Sequence, residues 1–289
     1  MPARVWHALA GLIALLLIAV VGLDQWQARR GEASLFRLSW SERRSPEALV
    51  RGEPHRLPGV PAIAPAMPGG HRVAIIVDEV GGRRDVFEAL RDLRRRVTVA
   101  VLPVLPLAPS IAREASRSGM EVLLDLPMEP YRYPELHPGP GALMMSMPHV
   151  ELQRLVVQHL EALPGAVGVI NHMGSKLTED RERMSAVLEV LAARRLFLVD
   201  AYASNLSVAY DAARAVGLRA ARRQILIDSA RGETAERASW NGVGEWAERH
   251  GEAIVLARGE PVTARLLREY IPRWEARGVR LVPVSELVR

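Results

Sequence analysis

The sequence predicts an α/β domain whose parallel strands close into a barrel. Three observations predict it. From His71 onward, short β-branched runs alternate with helical stretches whose apolar residues recur three and four apart. Seven or eight strands recur in this way before the chain ends at Arg289. Several of them stop in an acid, an asparagine or a histidine, and α/β sheets build their sites at that C-terminal edge. Closure leaves so many strands without an open edge. A doubly wound open sheet is the alternative, which periodicity does not distinguish.

The elements follow in order. Residues 73–78 form a continuous apolar run that ends in Asp78-Glu79 and two glycines, as a strand buried on both faces does. Residues 83–93 are helical, and 97–102 form a second strand stopped by Pro103. Residues 109–118 are helical, ended by Gly119. Residues 121–126 form a third strand stopped by Pro127, before a loop over 127–147 rich in Pro, Gly, Tyr and Met. A helix over 148–163, a fourth strand over 166–170, a helix from Thr178 to Arg195 and a fifth strand over 196–200 come next. Ser204 caps a helix to Val216, and a sixth strand lies around Ile225-Leu226-Ile227. A helix over 233–250, a seventh strand over 253–257, a helix over 262–277 and a last strand over 279–284 complete the domain.

Three regions divide the chain. Residues 1–23 are an N-terminal membrane anchor or signal segment, because 6–23 is apolar, uncharged and just long enough for a transmembrane helix. No A-x-A cleavage site follows it, which favours the anchor. Residues 24–71 hold Pro46, Pro54, Pro58, Pro61, Pro65 and Pro68 among several arginines, the composition of a flexible linker. Residues 72–289 are the folded domain. This order implies a protein anchored in a bacterial inner membrane, or secreted across it, with its domain in the periplasm.

Composition excludes several chemistries. There is no cysteine, hence no disulfide, thiolate nucleophile or Cys-ligated zinc. The formal charge of +5 is carried almost entirely by arginine, Lys176 being the only lysine. The arginines are scattered over helix faces without an aromatic platform, so no nucleic-acid partner is expected. No G-x-S-x-G elbow, phosphate-binding G-x-x-x-x-G-K-[ST] loop or H-E-x-x-H pair is present.

What remains is a set of polar strand ends: Asp78-Glu79, Asp125, Asn171-His172, Asp200 and Asp228. Each acid alone is open to a helix-capping role, and His172 alone is open to a structural one. In a parallel barrel all face one rim. Grouped carboxylates repel unless protons or a cation neutralise them, and a hard or borderline divalent cation suits an oxygen, oxygen, nitrogen set. Tyr131, Tyr133, Met144, Met145 and Met147 either line a sugar groove or pack their own loop.

At these residues the sequence resembles the divergent polysaccharide deacetylase family, a branch of the carbohydrate esterases with a TIM-like (β/α) barrel. The segments IIVDEVGG, GMEVLLDLPMEP, LPGAVGVINHMGSKLT, LFLVDAYAS and RGVRLVPVSEL carry the likeness over residues 72–289. The resemblance implies a hydrolase that removes acetyl groups from a polysaccharide or envelope glycan with the help of a divalent metal, zinc or a harder cation. It implies catalytic roles for Asp78, as base, and Asp200; metal ligation by Glu79, Asp125 and His172; and substrate contacts by Met128, Glu129, Asn171 and Ser175. The chain departs from the family pattern where a second aspartate is Glu79, a histidine is Asp125, a serine is Ala201 and a glycine-histidine pair is Ala257-Arg258. Arginine holds its proton near neutral pH, so Arg258 is no proton donor. Its charge is instead available to Asp125 or Asp78 in place of the cation. Two functions are therefore expected: a remodelled metal-dependent deacetylase, or a catalytically degenerate domain that binds a periplasmic glycan or protein.

Overall fold

The computed structural model describes residues 70–289 apart from Arg95, Asp228, Ala230 and Arg231. The anchor expected at 6–23, the linker up to residue 69 and the strand-end Asp228 lie outside the described residues. Among the described residues no helix is long and apolar enough to cross a membrane.

The strands are β1 (His71–Val80), β2 (Thr98–Val101), β3 (Glu121–Met128), β4 (Gly168–Met173), β5 (Phe197–Asp200), β6 (Ala220–Arg222), β7 (Ile225–Ile227), β8 (Glu252–Arg258) and β9 (Val279–Leu281). The helices are α1 (Arg84–Arg91), α2 (Ala108–Arg117), α3 (His149–Ala162), α4 (Arg181–Ala193), α5 (Ala209–Ala215), α6 (Glu233–His250) and α7 (Pro261–Ala276). Eight strands run in the order β6-β5-β4-β3-β2-β1-β8-β7, and β9 pairs with the start of β1. Every pairing is parallel. The result is a TIM-like α/β half-barrel.

The expected single sixth strand is two short ones, and this corrects the expectation of a closed ladder. β6 pairs with β5, whereas β7 pairs with β8. Only Arg223-Gln224 joins them, so the chain itself spans the gap. Gln224 is tied to β8 twice, its N–H donating to Ile254 O at 3.0 Å and its Oε1 accepting from Ile254 N at 2.6 Å. Arg223 N–H donates back to Asp200 O at 3.0 Å.

Strand alternation divides the core into two layers. Val73, Ile75 and Val77 pack with the helices, in one cluster with Phe87, Ile111 and Trp240. Ala74 and Ile76 face the other side, with Leu123, Ile170 and Phe197. Val282, Val284, Leu287 and Val288 of the C-terminal tail fill that concave side. Phe197 takes the room beside Gly168, where a Cβ would lie 2.5 Å from its ring.

Several boundaries differ from expectation. Pro127 lies inside β3, opposite His172 in the ladder, and β4 extends through Asn171 and His172. The helix expected from Thr178 is a 3-10 turn at Leu177–Glu179 followed by α4. Asp180 is the cap, its carboxylate accepting from Arg183 N at 2.9 Å. Ser204 caps no helix. Its hydroxyl donates to Glu179 and accepts from Leu206 N, and α5 begins only at Ala209.

Candidate functional site

The end of β1 is irregular. The β1–β2 register shifts between Val77 and Val80, and Glu79 adopts a left-handed backbone with φ 53. Such a bulge re-aims side chains beside a site. It points the Glu79 N–H at Asp125 Oδ2, 3.1 Å away on β3. It also turns the Glu79 carboxylate to Arg258, whose Nη2 lies 3.0 Å from Oε1. Arg258 stands opposite Asp78 in the β1–β8 ladder. The next residue, Gly259, donates its N–H to Asp78 O at 2.9 Å, and a Cβ there would come within 2.8 Å of that oxygen.

Behind this bulge sit two acids, Asp125 buried and Asp78 half-buried, with an imidazole. Asp125 is 1 % exposed, and its Oδ1 has no hydrogen-bond partner; Asp78 Oδ1 is likewise shielded and unpartnered. Burial and then the charge of Glu79 raise Asp78 to about 7, against the pull of Arg258 and Arg223. Burial and then the charge of Asp78 hold Asp125 well above the carboxylate range. His172 Nδ1 lies 3.7 Å from Asp125 Oδ2 and 4.0 Å from Glu79 Oε1, both too long for hydrogen bonds. Burial, then the positive charge of Arg258, lowers His172 to about 4, so its imidazole is neutral at physiological pH. Asp78, Glu79, Asp125 and His172 thus come together at one strand edge.

The other residues marked by the sequence are held elsewhere in the same rim. Asp200 is fully buried and satisfied within its own turn. It accepts from Tyr202 N at 2.8 Å and Ser207 Oγ at 3.0 Å, with Arg222 Nε at 3.4 Å. Asn171 donates to Met173 O and accepts from Ala201 N, both at 2.8 Å, and so fixes the left-handed Met173 (φ 52) and ties β4 to β5. Met128 has no exposed surface and fills the space beside Gly174. Ser175 Oγ accepts from Tyr131 N at 3.1 Å. Glu129 receives Lys176 Nζ and, at 2.7 Å, Met145 N. The Ser175 and Lys176 contacts brace the 127–147 loop against the β4 exit, and the Met145 contact closes the loop on itself.

Sequence reasoning missed Arg223. It is 5 % exposed and donates Nε to Ala201 O and Nη2 to Tyr202 O. Burial lowers it to about 10, with Asp200 and Asp78 opposing, so it stays charged near neutrality. It lies in a run of arginines, and nothing in its local sequence separates it from surface ones. Arg258 was expected to pair with Asp125 or Asp78; the bulge delivers Glu79 to it instead.

The donor set does not fit a divalent metal as it stands. The Glu79 oxygen that would ligate is engaged by a guanidinium. Among the described residues no three His, Asp or Glu side chains are arranged to hold a metal ion.

Next to the acid pair lies a cleft of about 200 Å³. Glu79 and Arg258 form its inner wall, Val86, Leu102 and Leu105 its apolar wall, and Arg83 and Glu260 its mouth.

Fold and rim together define a TIM-like α/β domain that gathers carboxylates and a neutral imidazole at the C-terminal edge of its sheet. The signature described as divergent polysaccharide deacetylase matches residues 75–288, and the chain belongs to that family. It is 30% identical over 200 residues to the uncharacterized protein YibQ of Escherichia coli, covering 69% of this chain and 62% of that one. It is 27% identical over 197 residues to an uncharacterized protein of Haemophilus influenzae, covering 68% of this chain and 70% of the relative. The chain thus spans less than two thirds of the Escherichia coli protein's length. An uncharacterized Agrobacterium tumefaciens protein of known structure superimposes with a TM-score of 0.69 at 25% identity, over 78% of this chain and 93% of that one.

Proposed function

We propose that this domain binds an acetylated polysaccharide of the bacterial cell envelope at the rim formed by β1, β3, β4 and β8. The observation that carries the reading is the cleft, whose wall of Glu79 and Arg258 adjoins Asp125 and Asp78 and so places a ligand beside those acids. One wall is apolar and suits an acetyl methyl; the other offers a guanidinium donor and a carboxylate acceptor, which suit an amide. The family supports a glycan, and the apolar run at 6–23 supports an inner-membrane anchor with the domain in the periplasm.

Hydrolysis of the acetyl group, the activity that the family resemblance implies, is the second reading. The unpartnered oxygens of Asp78 and Asp125 beside a neutral His172 favour it. The test is calorimetric titration of the full chain with an N-acetylated oligosaccharide and its de-N-acetylated counterpart, with acetate release followed in parallel. Binding of the acetylated form without acetate release supports the first reading. Turnover supports the second, and no preference between the two sugars removes both.

A further inference from the structure

Three carboxylates meet at this rim, Asp78, Glu79 and Asp125; the Arg258 guanidinium reaches Glu79, and that of Arg223 is held at the end of β5 nearby. Arg258 comes from the end of β8. The ladder sets it opposite Asp78, and the bulge brings Glu79 Oε1 to within 3.0 Å of its Nη2. Arg223 comes from the link between β6 and β7, where the chain leaves β5 for β8. Two carbonyls at the end of β5, those of Ala201 and Tyr202, hold its fork in place. Its side chain is therefore fixed rather than solvent-directed, with Asp200 and Asp78 as its neighbouring acids. A guanidinium is permanently charged, planar and less strongly hydrated than an ammonium group, so it tolerates burial beside carboxylates.

We propose that Arg258 takes the electrostatic place of a divalent cation at this rim, making it a metal-independent ligand site, with Arg223 held at the end of β5 behind it. The reason is geometric. A cation set among Glu79, Asp125 and His172 would need the Glu79 oxygen that Arg258 holds. It would also sit against a positive charge that does not deprotonate to make way for it. The same arrangement leaves the outer part of Arg258, half exposed at the cleft wall, as a donor toward ligand. This inference deepens the proposed glycan site but does not depend on the glycan, because its test is read with metal alone.

The experiment is titration of the full chain, freed of metal by chelation, with Zn²⁺ or Mn²⁺, using calorimetry and thermal melts. The parent chain is expected to show no one-to-one binding and no rise in melting temperature. Arg258→Gln frees Glu79 while keeping a neutral side chain at the half-exposed position, and is expected to bind metal at least about tenfold more tightly than the parent. One-to-one metal binding by the parent overturns the proposal, and so does an Arg258→Gln chain that binds metal no better than the parent. Failure of glycan binding in the separate titration leaves both metal outcomes standing.

Discussion

Asp78 and Arg258 face each other across the β1–β8 ladder, yet the guanidinium closes on Glu79, one residue further along. The bulge at the end of β1 causes this. It lifts Glu79 out of the ladder, commits its amide to Asp125, and swings its carboxylate outward to the arginine. Asp78 stays behind with an unpartnered oxygen. One irregular residue thus separates the inner acids Asp78 and Asp125 from an outer ion pair, and the cleft begins at that partition.

Asp78 and His172 should tilt stability in opposite directions with pH. Asp78 titrates near 7 in the fold against 3.8 ordinarily. Between those values the native state holds the extra proton, and stability falls as pH rises. His172 titrates near 4 against 6.5. Between those values the unfolded state holds the extra proton, and stability falls as pH drops. Asp78→Asn removes the first effect and relieves part of the upward hold on Asp125, leaving the His172 effect in place. Its gain over the parent should grow from pH 4 to pH 7 and reach about 2 kcal/mol once solvent screening is allowed for. Thermal melts across that range check this, and a gain that does not change with pH contradicts it.

Asn171 is expected to matter for the fold before it matters for any ligand. Both ends of its amide are used inside the protein, at 2.8 Å each, and it holds a left-handed methionine at the mouth of β4. Asn171→Ala should cost about 2–4 kcal/mol in urea unfolding, from two buried groups left without partners. A loss below about 0.5 kcal/mol would show that the turn is fixed by other contacts.

Glu129 closes the 127–147 loop on itself through Met145 N and ties it to the β4 exit through Lys176 Nζ. Glu129→Ala should loosen that loop and speed tryptic cleavage after Arg132, which is exposed within it. Lys176→Ala should do so less, because the Met145 contact survives. Equal cleavage of parent and Glu129→Ala would place the loop's anchor elsewhere, at the contacts of Tyr131 with Ser175 and Glu179.

The sheet was legible because buried parallel strands need continuous apolar runs, and 73–77, 99–101 and 197–199 supply them. β6 was not, because Ala220-Ala221-Arg222 has neither branching nor alternation, and its pairing with β5 is set by tertiary position. Pro127 looked like a stop, yet a proline lacks only a donor and still fits a strand near its end. The gathering of Asp78, Glu79, Asp125 and His172 at one edge followed from their places at strand ends. The partner of Arg258 did not, because a one-residue bulge has no sequence signature here and decides which of two adjacent acids meets the guanidinium. Arg223 was hidden for a related reason: its burial comes from the gap between β6 and β7.

On the proposal above, the Arg258 guanidinium rather than a metal ion balances the acids of this rim. The most direct measurement is elemental analysis of the full chain purified without chelators from cells grown with ample zinc and manganese. The account predicts well under about 0.1 metal ion per chain, since Glu79 stays with Arg258. Close to one zinc or manganese per chain, lost on His172→Ala, would contradict it.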